Sequence, residues 1–202
     1  LHAEGHARQV SAMHARARLE NLSLQNETGT IASEKLRAEI ECSASGAIED
    51  LAFQLSLRGL GGQALAGPVL IDLTQQPLLM RAEGRLTPAN VDVPTITISQ
   101  SGLVQASGSA TLKKSPTWII DSAQLQVASL QFPAAYTSLL QLALAATEFG
   151  ALETRGNASG VVRLNRNRMS ALDLTLDELQ FRDAGRKLGM EGIGGEIHWR
   201  AA

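Results

Sequence analysis

Residues 172–181 read Leu-Asp-Leu-Thr-Leu-Asp-Glu-Leu-Gln-Phe, and this stretch decides the fold of the chain. Leucines alternate with polar residues up to Leu176, which is the pattern of a β-strand with one apolar face. The next apolar residues, Leu179 and Phe181, come one position too late for that face. Because a one-residue slip would turn them toward water, we predict a β-bulge or a short bend at Asp177-Glu178 that restores the apolar face and adds twist.

The same slip occurs in residues 17–24 and in residues 125–132. In addition, residues 18–42 align with residues 175–199 without a gap. The aligned apolar pairs are Leu19 with Leu176, Leu22 with Leu179, Leu24 with Phe181, Ile31 with Leu188, Leu36 with Ile193 and Ile40 with Ile197. Two amphipathic stretches can match by chance, but a match that continues through a turn favours a repeated structural unit, which is typical of elongated proteins.

Apolar and polar residues also alternate through most of the remaining chain, with turns at Gly, Pro and Asn. The cluster at 59–62 is predicted to end one strand, and Pro94 to mark an edge, bend or bulge. Residues 1–14 are poorly patterned. We therefore predict a mainly β fold for residues 15–202, a single repeating segment that forms an elongated, strongly curved antiparallel sheet, either a β-groove or a half-open barrel.

Residues 133–148 change to the three- and four-residue spacing of an amphipathic helix. Pro133 suits a first helical turn, and Gly150 follows the predicted end. The polar side of this helix carries no Lys or Arg, which membrane-surface helices usually have. We therefore expect the helix to pack over the sheet or to plug one end of it.

Composition excludes several classes of protein. The net charge of −2 gives no basic excess for binding nucleic acid. A single cysteine, Cys42, cannot form an internal disulfide, and its position in an apolar row predicts a small buried side chain. The sequence shows no signal peptide and no apolar run that could span a membrane. It starts at Leu1, so we interpret it as a segment of a longer protein.

No motif of catalysis, phosphate binding or metal binding is recognisable, so we expect no enzyme activity, cofactor or metal site. The histidines at 2, 6 and 14 lack the Cys, Asp or Glu needed for a structural metal site. Glu39 and Glu41 share a polar strand face with Arg37, which is typical of solvated charges. His198 is expected to be solvated on the polar side of a strand.

The apolar rows are long, aliphatic and poor in aromatics, with only seven Phe, Trp and Tyr in 202 residues. A filled sandwich core usually contains more aromatic residues. A curved sheet with an incompletely filled apolar side, its strands about 20–30 Å long, fits better. The candidate groove residues are the larger apolar ones: Phe53, Leu55, Leu57, Val69, Ile71, Leu73, Met80, Ile96, Ile98, Leu125, Val127, Leu172, Leu174 and Leu176. At each of these positions, alternation indicates core packing before it indicates contact with a ligand.

The stretch 172–181, residues 102–112 (Gly-Leu-Val-Gln-Ala-Ser-Gly-Ser-Ala-Thr-Leu) and residues 194–200 (Gly-Gly-Glu-Ile-His-Trp-Arg) resemble the AsmA-like superfamily of Gram-negative envelope proteins. The closest similarity is to its YdbH-type branch, also labelled "dicarboxylate transport". The resemblance implies a repeating β-groove that is anchored in the inner membrane, crosses the periplasm and carries phospholipids toward the outer membrane. It implies no catalytic residue.

Two functional hypotheses follow. In the first, the chain is a lipid-conducting segment whose partners are phospholipid acyl chains and the rest of its own longer chain. In the second, it is a scaffold with a filled β core that helps outer-membrane biogenesis by offering a sheet edge to an envelope protein. An open trough favours the first hypothesis, and a closed, filled interior favours the second.

Overall fold

The computed structural model describes residues 9–67, 69–147, 149–183 and 189–201. They form eleven strands and one short helical segment. The strands are β1 (Gln9–Gln25), β2 (Ile31–Ala47), β3 (Asp50–Ala66), β4 (Val69–Asp72), β5 (Leu78–Leu86), β6 (Asn90–Gln100), β7 (Val104–Lys114), β8 (Trp118–Phe132), β9 (Leu152–Asn165), β10 (Arg168–Asp183) and β11 (Gly189–Arg200). The helical segment consists of a π-helical turn, Tyr136–Leu140, followed by α1, Gln141–Leu144.

All eleven strands belong to one antiparallel sheet that stays open. Its order is β1-β2-β3-β5-β6-β7-β8-β9-β10-β11, so almost every strand pairs with its neighbours in sequence. The short strand β4 pairs with the second half of β3, beyond the part of β3 that pairs with β5. Strands β1 and β11 form the two free edges at the ends of this order, and the short β4 also pairs on one side only. The prediction of a mainly β, open, curved antiparallel sheet is therefore confirmed.

The predicted bulge at Asp177-Glu178 is confirmed. Glu178 has a φ of 49°, and the register of β10 shifts at this point against both neighbouring strands. The equivalent residue of the first slip, Asn21, has a φ of 54°, also at a register shift. In the third slip, the pairing of β8 with β9 shifts between Val127 and Leu130. Each slip therefore keeps the apolar residues on one face while the strand bends.

The internal repeat is present in the structure pair by pair. Hairpin β1–β2 pairs Ala17 with Ile40, and hairpin β10–β11 makes the equivalent pair 157 residues later, Leu174 with Ile197. The second bulge of the hairpin also recurs, at Lys35 (φ 49°) and at Gly192 (φ 66°). The other matching pairs are Leu19–Ala38 with Leu176–Gly195, Leu22–Leu36 with Leu179–Ile193, and Leu24–Ser33 with Phe181–Met190. Leu188, predicted to match Ile31, lies outside the described residues.

Two strand boundaries differ from the sequence prediction. Strand β1 already begins at Gln9, ahead of the predicted start at residue 15. Strand β3 runs through the glycine cluster 59–62 instead of ending there. Gly62 has a φ of 84° where β3 passes the bulge of β2, and Gly61 lies against the Arg37 side chain, so these glycines allow close approach and do not form a turn. As a result, β1, β2 and β3 each contain 17 residues, which is about 55 Å of extended chain and longer than predicted.

The helical segment is shorter than the predicted 133–148. It spans 136–144 and packs against β4, although it follows β8 in the chain. Buried Tyr136 anchors it, because its hydroxyl donates to Phe149 O and accepts a hydrogen bond from Leu152 N. Residues 145–147, predicted to be helical, follow the end of the helical segment at Leu144.

The sheet is a single layer without a filled core. The accessible surface is 13521 Å² for a 21.4 kDa chain, whereas a compact monomer of this mass exposes about 9,100 Å². The buried apolar residues are mostly alanines: Ala38, Leu73, Val93, Ala106, Ala135, Tyr136, Ala158 and Ala171. No second sheet covers the apolar face in the described part of the chain.

Candidate functional site

Apolar residues of neighbouring strands lie opposite one another in continuous rows, here called rungs, that cross the whole sheet. The first rung consists of Ala17, Ile40, Leu57, Met80, Ile98, Ala106, Val127, Gly160, Leu174 and Ile197. The second rung consists of Ala15, Cys42, Leu55, Ala82, Ile96, Gly108, Leu125, Val162, Leu172 and Trp199. The third rung consists of Leu19, Ala38, Gly59, Leu78, Gln100, Val104, Leu130, Ala158, Leu176 and Gly195.

Each rung connects one free edge of the sheet to the other. Ten strands are separated by nine spacings of about 4.8 Å, so a rung is about 43 Å long. The thirty rung positions include no charged residue, and Gln100 is the one polar amide among them. The continuous apolar path therefore runs across the strands. The sequence pattern had indicated only an apolar row along each single strand.

The structure places the predicted groove residues on this face. Ten of them belong to the three rungs, and Phe53 continues the same face next to the second rung, opposite Ala44 and Gly84. Val69 and Ile71 lie on β4. All are partly exposed except Leu73, which is 4% exposed. Leu73 is therefore a packing residue at one end of the groove, while the others line an open surface.

Sequence reasoning missed the small rung residues and several large ones. Ala106, Ala158 and Gly160 were passed over because only the larger side chains were selected. Among the larger residues, Ile40, Ile197 and Trp199 end or flank rungs near the edges. The signal was present in the same alternation, but only the strand register shows that these residues lie side by side.

Small residues of the apolar face are buried among their larger neighbours. Ala38, Ala106 and Ala158 on this face are 5%, 8% and 3% exposed. Because no second layer covers this face in the described part of the chain, the side chains of neighbouring strands shield them. The same occurs on the opposite face, where Ala171 is 5% exposed.

One side of the groove is closed by the residues that follow β4. The Leu73 side chain lies over Gly59, where an added Cβ would be 2.7 Å from Leu73 Cδ1. Gln100 fixes this loop, because its Nε2 donates to Asp72 O at 2.6 Å and to Gln76 O at 3.1 Å. The helical segment packs against the same β4. Together they form a rim at the strand ends and leave both ends of the rungs open.

Cys42 faces the apolar side, as predicted, but it is partly exposed. The prediction of a buried position was wrong because it assumed a covered face. In the described part of the chain, no group of three His, Cys, Asp or Glu residues is arranged to hold a metal ion. His2 and His6 lie outside the described residues. Nor does any helix described there have the length and hydrophobicity needed to cross a membrane.

The opposite face of the sheet carries charged residues, and four of them form a network centred on Asp173 together with Arg163, His198 and Arg200. Its carboxylate accepts hydrogen bonds from Arg200 at 3.1 Å, from Arg163 at 2.9 Å and from the His198 ring at 2.9 Å. These hydrogen bonds, from Arg200 foremost and then from His198 and Arg163, hold the pKa of Asp173 well below its usual range. The hydrogen bond to Asp173, followed by that to Glu196, raises the pKa of His198. The network attaches the edge strand β11 to β10 and β9.

We expect the attachment of β11 to weaken as the pH rises. Because the pKa of His198 is raised on folding, its contribution is complete below the unfolded value of about 6.5 and is lost as the pH rises through the folded value. Amide exchange in β11, corrected for the intrinsic pH dependence, should therefore be less protected at pH 8.5 than at pH 5.5.

The variant His198→Gln should remove this difference, whereas His14→Gln, on β1, should retain it. Equal corrected protection of β11 at both pH values in the unchanged protein would contradict the assignment. The effect will be small because the histidine side chain is 61% exposed.

Comparisons of the chain with protein-family models, with curated proteins and with solved structures find no match. Function must therefore be inferred from the geometry of the two faces. The face that differs most from an ordinary soluble surface is the one that carries the rungs.

Proposed function

We propose that the apolar face binds phospholipid acyl chains and conducts them along the rungs. The observation that carries this proposal is the continuity of the first and second rungs, which are uncharged, partly exposed except at Ala106 and without a covering layer, from one free edge to the other. Exposed apolar surface of this extent marks a binding site, because leaving it in water is unfavourable.

The dimensions support an acyl ligand. The hydrocarbon core of a bilayer is about 30 Å thick, so one leaflet's acyl chains extend about 15 Å. A rung of about 43 Å therefore accommodates more than one such chain end to end. The curvature allows chains to lie in the groove while polar headgroups project past its rims into water.

The cellular setting of this proposal comes from the resemblance to the AsmA-like proteins. On that basis the segment belongs to a longer protein that is anchored in the inner membrane of a Gram-negative bacterium. It crosses the periplasm and carries phospholipids between the inner and outer membranes.

A second function is favoured by the two free edges. Strands β1 and β11 each pair on one side only, and an unpaired strand edge can accept a strand of another protein. The chain would then be an assembly scaffold for outer-membrane biogenesis. The two functions differ in what the apolar face contacts in the cell.

Site-specific photo-crosslinking tests the lipid function directly. A photoreactive residue is introduced at Leu57 or Leu174 on the first rung, and at Ser56 or Thr175 on the opposite face as matched controls. Lipid captured in cells at the two rung positions and not at the controls supports conduction. Equal capture at all four positions, or capture at none, overturns it, and protein partners captured along β1 or β11 would favour the scaffold.

A further inference from the structure

Charge is distributed unevenly along the ends of the strands, and one stretch of these ends combines cations with exposed apolar side chains. This stretch is formed by the tips of hairpins β7–β8 and β9–β10. We call it the basic rim and define it by six residues: Lys113, Lys114, Trp118, Arg166, Arg168 and Met169.

The two hairpin tips are fixed to each other. The backbone of β8 and the turn Arg166-Asn167 exchange hydrogen bonds, because Asn167 N donates to Ile120 O at 3.0 Å and Ile120 N donates to Asn167 Oδ1 at 2.7 Å. Arg166 N also donates to Asp121 O at 3.1 Å. The basic rim is therefore a defined surface and not two independent loops.

The basic rim has a net positive charge in a chain that is negative overall. It contains four cations, and the neighbouring carboxylate of Asp121 pairs with Lys113 at 2.7 Å. Among the described residues, Lys114, Arg166 and Arg168 form no ion pair. Three net positive charges thus lie on the basic rim of a chain whose total charge is −2.

Two apolar side chains lie among these cations. Trp118 is 42% exposed directly opposite Lys114 in the sheet, and Met169 is 42% exposed next to Arg168. The helical rim at the other strand ends also exposes apolar residues, Leu140 and Leu142, but has no acidic or basic residue in its terminal turns. The combination of cations with an exposed tryptophan therefore distinguishes the basic rim.

We propose that the basic rim docks on the surface of a bilayer that contains anionic phospholipids. Lys and Arg gain electrostatic attraction from anionic headgroups, and a tryptophan ring is favoured at the boundary between headgroups and acyl chains. Methionine adds flexible apolar contact at the same depth. Because the rim borders the apolar face, docking would bring one side of the groove to the membrane surface. Membrane docking is a function in addition to the proposed conduction of bound lipids.

Vesicle binding tests this proposal. The protein carries Trp199→Phe so that Trp118 is the one tryptophan, and it is mixed with vesicles of phosphatidylcholine alone or with 30 mol% phosphatidylglycerol. We expect co-sedimentation and a blue shift of Trp118 emission with the anionic vesicles only, both weakened at high salt. Arg166→Gln with Arg168→Gln should weaken binding roughly thirty-fold, the factor expected for two cations at an anionic surface.

The matched control is Arg16→Gln with Arg18→Gln, which changes the net charge equally but lies on β1. This control should bind vesicles nearly as well as the unchanged protein. Equal binding to both vesicle types, or equal weakening by the two double variants, would overturn the proposal. The proposal would also be overturned if the protein did not bind vesicles but its Trp118 emission shifted in millimolar inorganic phosphate. The basic rim would then be a site for free phosphate.

Far-UV circular dichroism of both double variants confirms that the sheet is retained. The result is separable from the proposed lipid conduction. Lipid crosslinking at Leu57 can fail while the protein still binds vesicles, and vesicle binding can fail while lipid crosslinking succeeds.

Discussion

Replacing Leu57 with arginine is expected to reduce lipid capture by the apolar face at least tenfold while the sheet remains folded. Leu57 lies in the first rung between Ile40 and Met80, so its replacement puts a charge in the middle of the apolar path. An acyl chain that covers this charge would remove it from water without a partner, which is strongly unfavourable. The side chain is only partly exposed, but without lipid a long arginine can extend its guanidinium to solvent.

The same substitution at Leu174 should have the same effect, because it interrupts the first rung on the other half of the sheet. Ser56→Arg and Thr175→Arg place the charge one residue away on the opposite face and should leave lipid capture unchanged. Bound lipid is measured by native mass spectrometry of protein purified from cells, and folding by urea denaturation. If the rung variants and their controls retain the same amount of lipid, acyl chains do not lie on this face.

Replacing Gly62 with alanine should be among the most destabilising single changes in the chain. Gly62 has a φ of 84°, and an added Cβ would clash with Lys35 O and Glu34 O on β2, because both oxygens are much closer than van der Waals contact allows. The backbone must move in a strand that is paired on both sides, so we expect a loss of about 3 kcal/mol or more in the free energy of unfolding.

Gly102 provides the matched control for this prediction. Its φ is 72°, but nothing lies within 4 Å of the position of an added Cβ. Gly102→Ala should therefore cost only the strain of a left-handed alanine, about 1 kcal/mol. The free energies of unfolding of the two variants are compared by urea denaturation, which requires that their m-values be equal. A similar cost for both would show that β2 and β3 do not approach each other as closely as the bulge requires.

Strand faces and bulges could be predicted from the sequence because both leave a mark in the period of hydrophobicity. The slip after Leu176 has one simple solution in a strand with a single apolar face, and the bulge at Glu178 is that solution. The repeat was also readable, because the apolar residues of both hairpins recur at a fixed spacing. The glycine cluster 59–62 was misinterpreted, since glycine serves equally for turns and for close strand approach.

Features that depend on register were not predictable. The rungs require knowing which residue lies opposite which, and bulges in several strands change that offset. The Asp173 network unites residues of three strands, and the basic rim unites two hairpin tips whose charges are far apart in sequence. Neither leaves a local pattern. The helix ended early because Tyr136 is held by the backbone at Phe149 and Leu152, a tertiary contact that periodicity does not report.

The order of the sheet also determines how the chain can fold. Because nearly every strand pairs with the strand before and after it in sequence, most contacts join residues separated by a single hairpin. Such a topology has a low contact order for an all-β protein and needs few long loops to close. Its stability is a sum over neighbouring strand pairs, as in repeat proteins, so that no central nucleus holds the whole molecule together. Folding can therefore start at any hairpin, and unfolding should proceed inward from the two free edges.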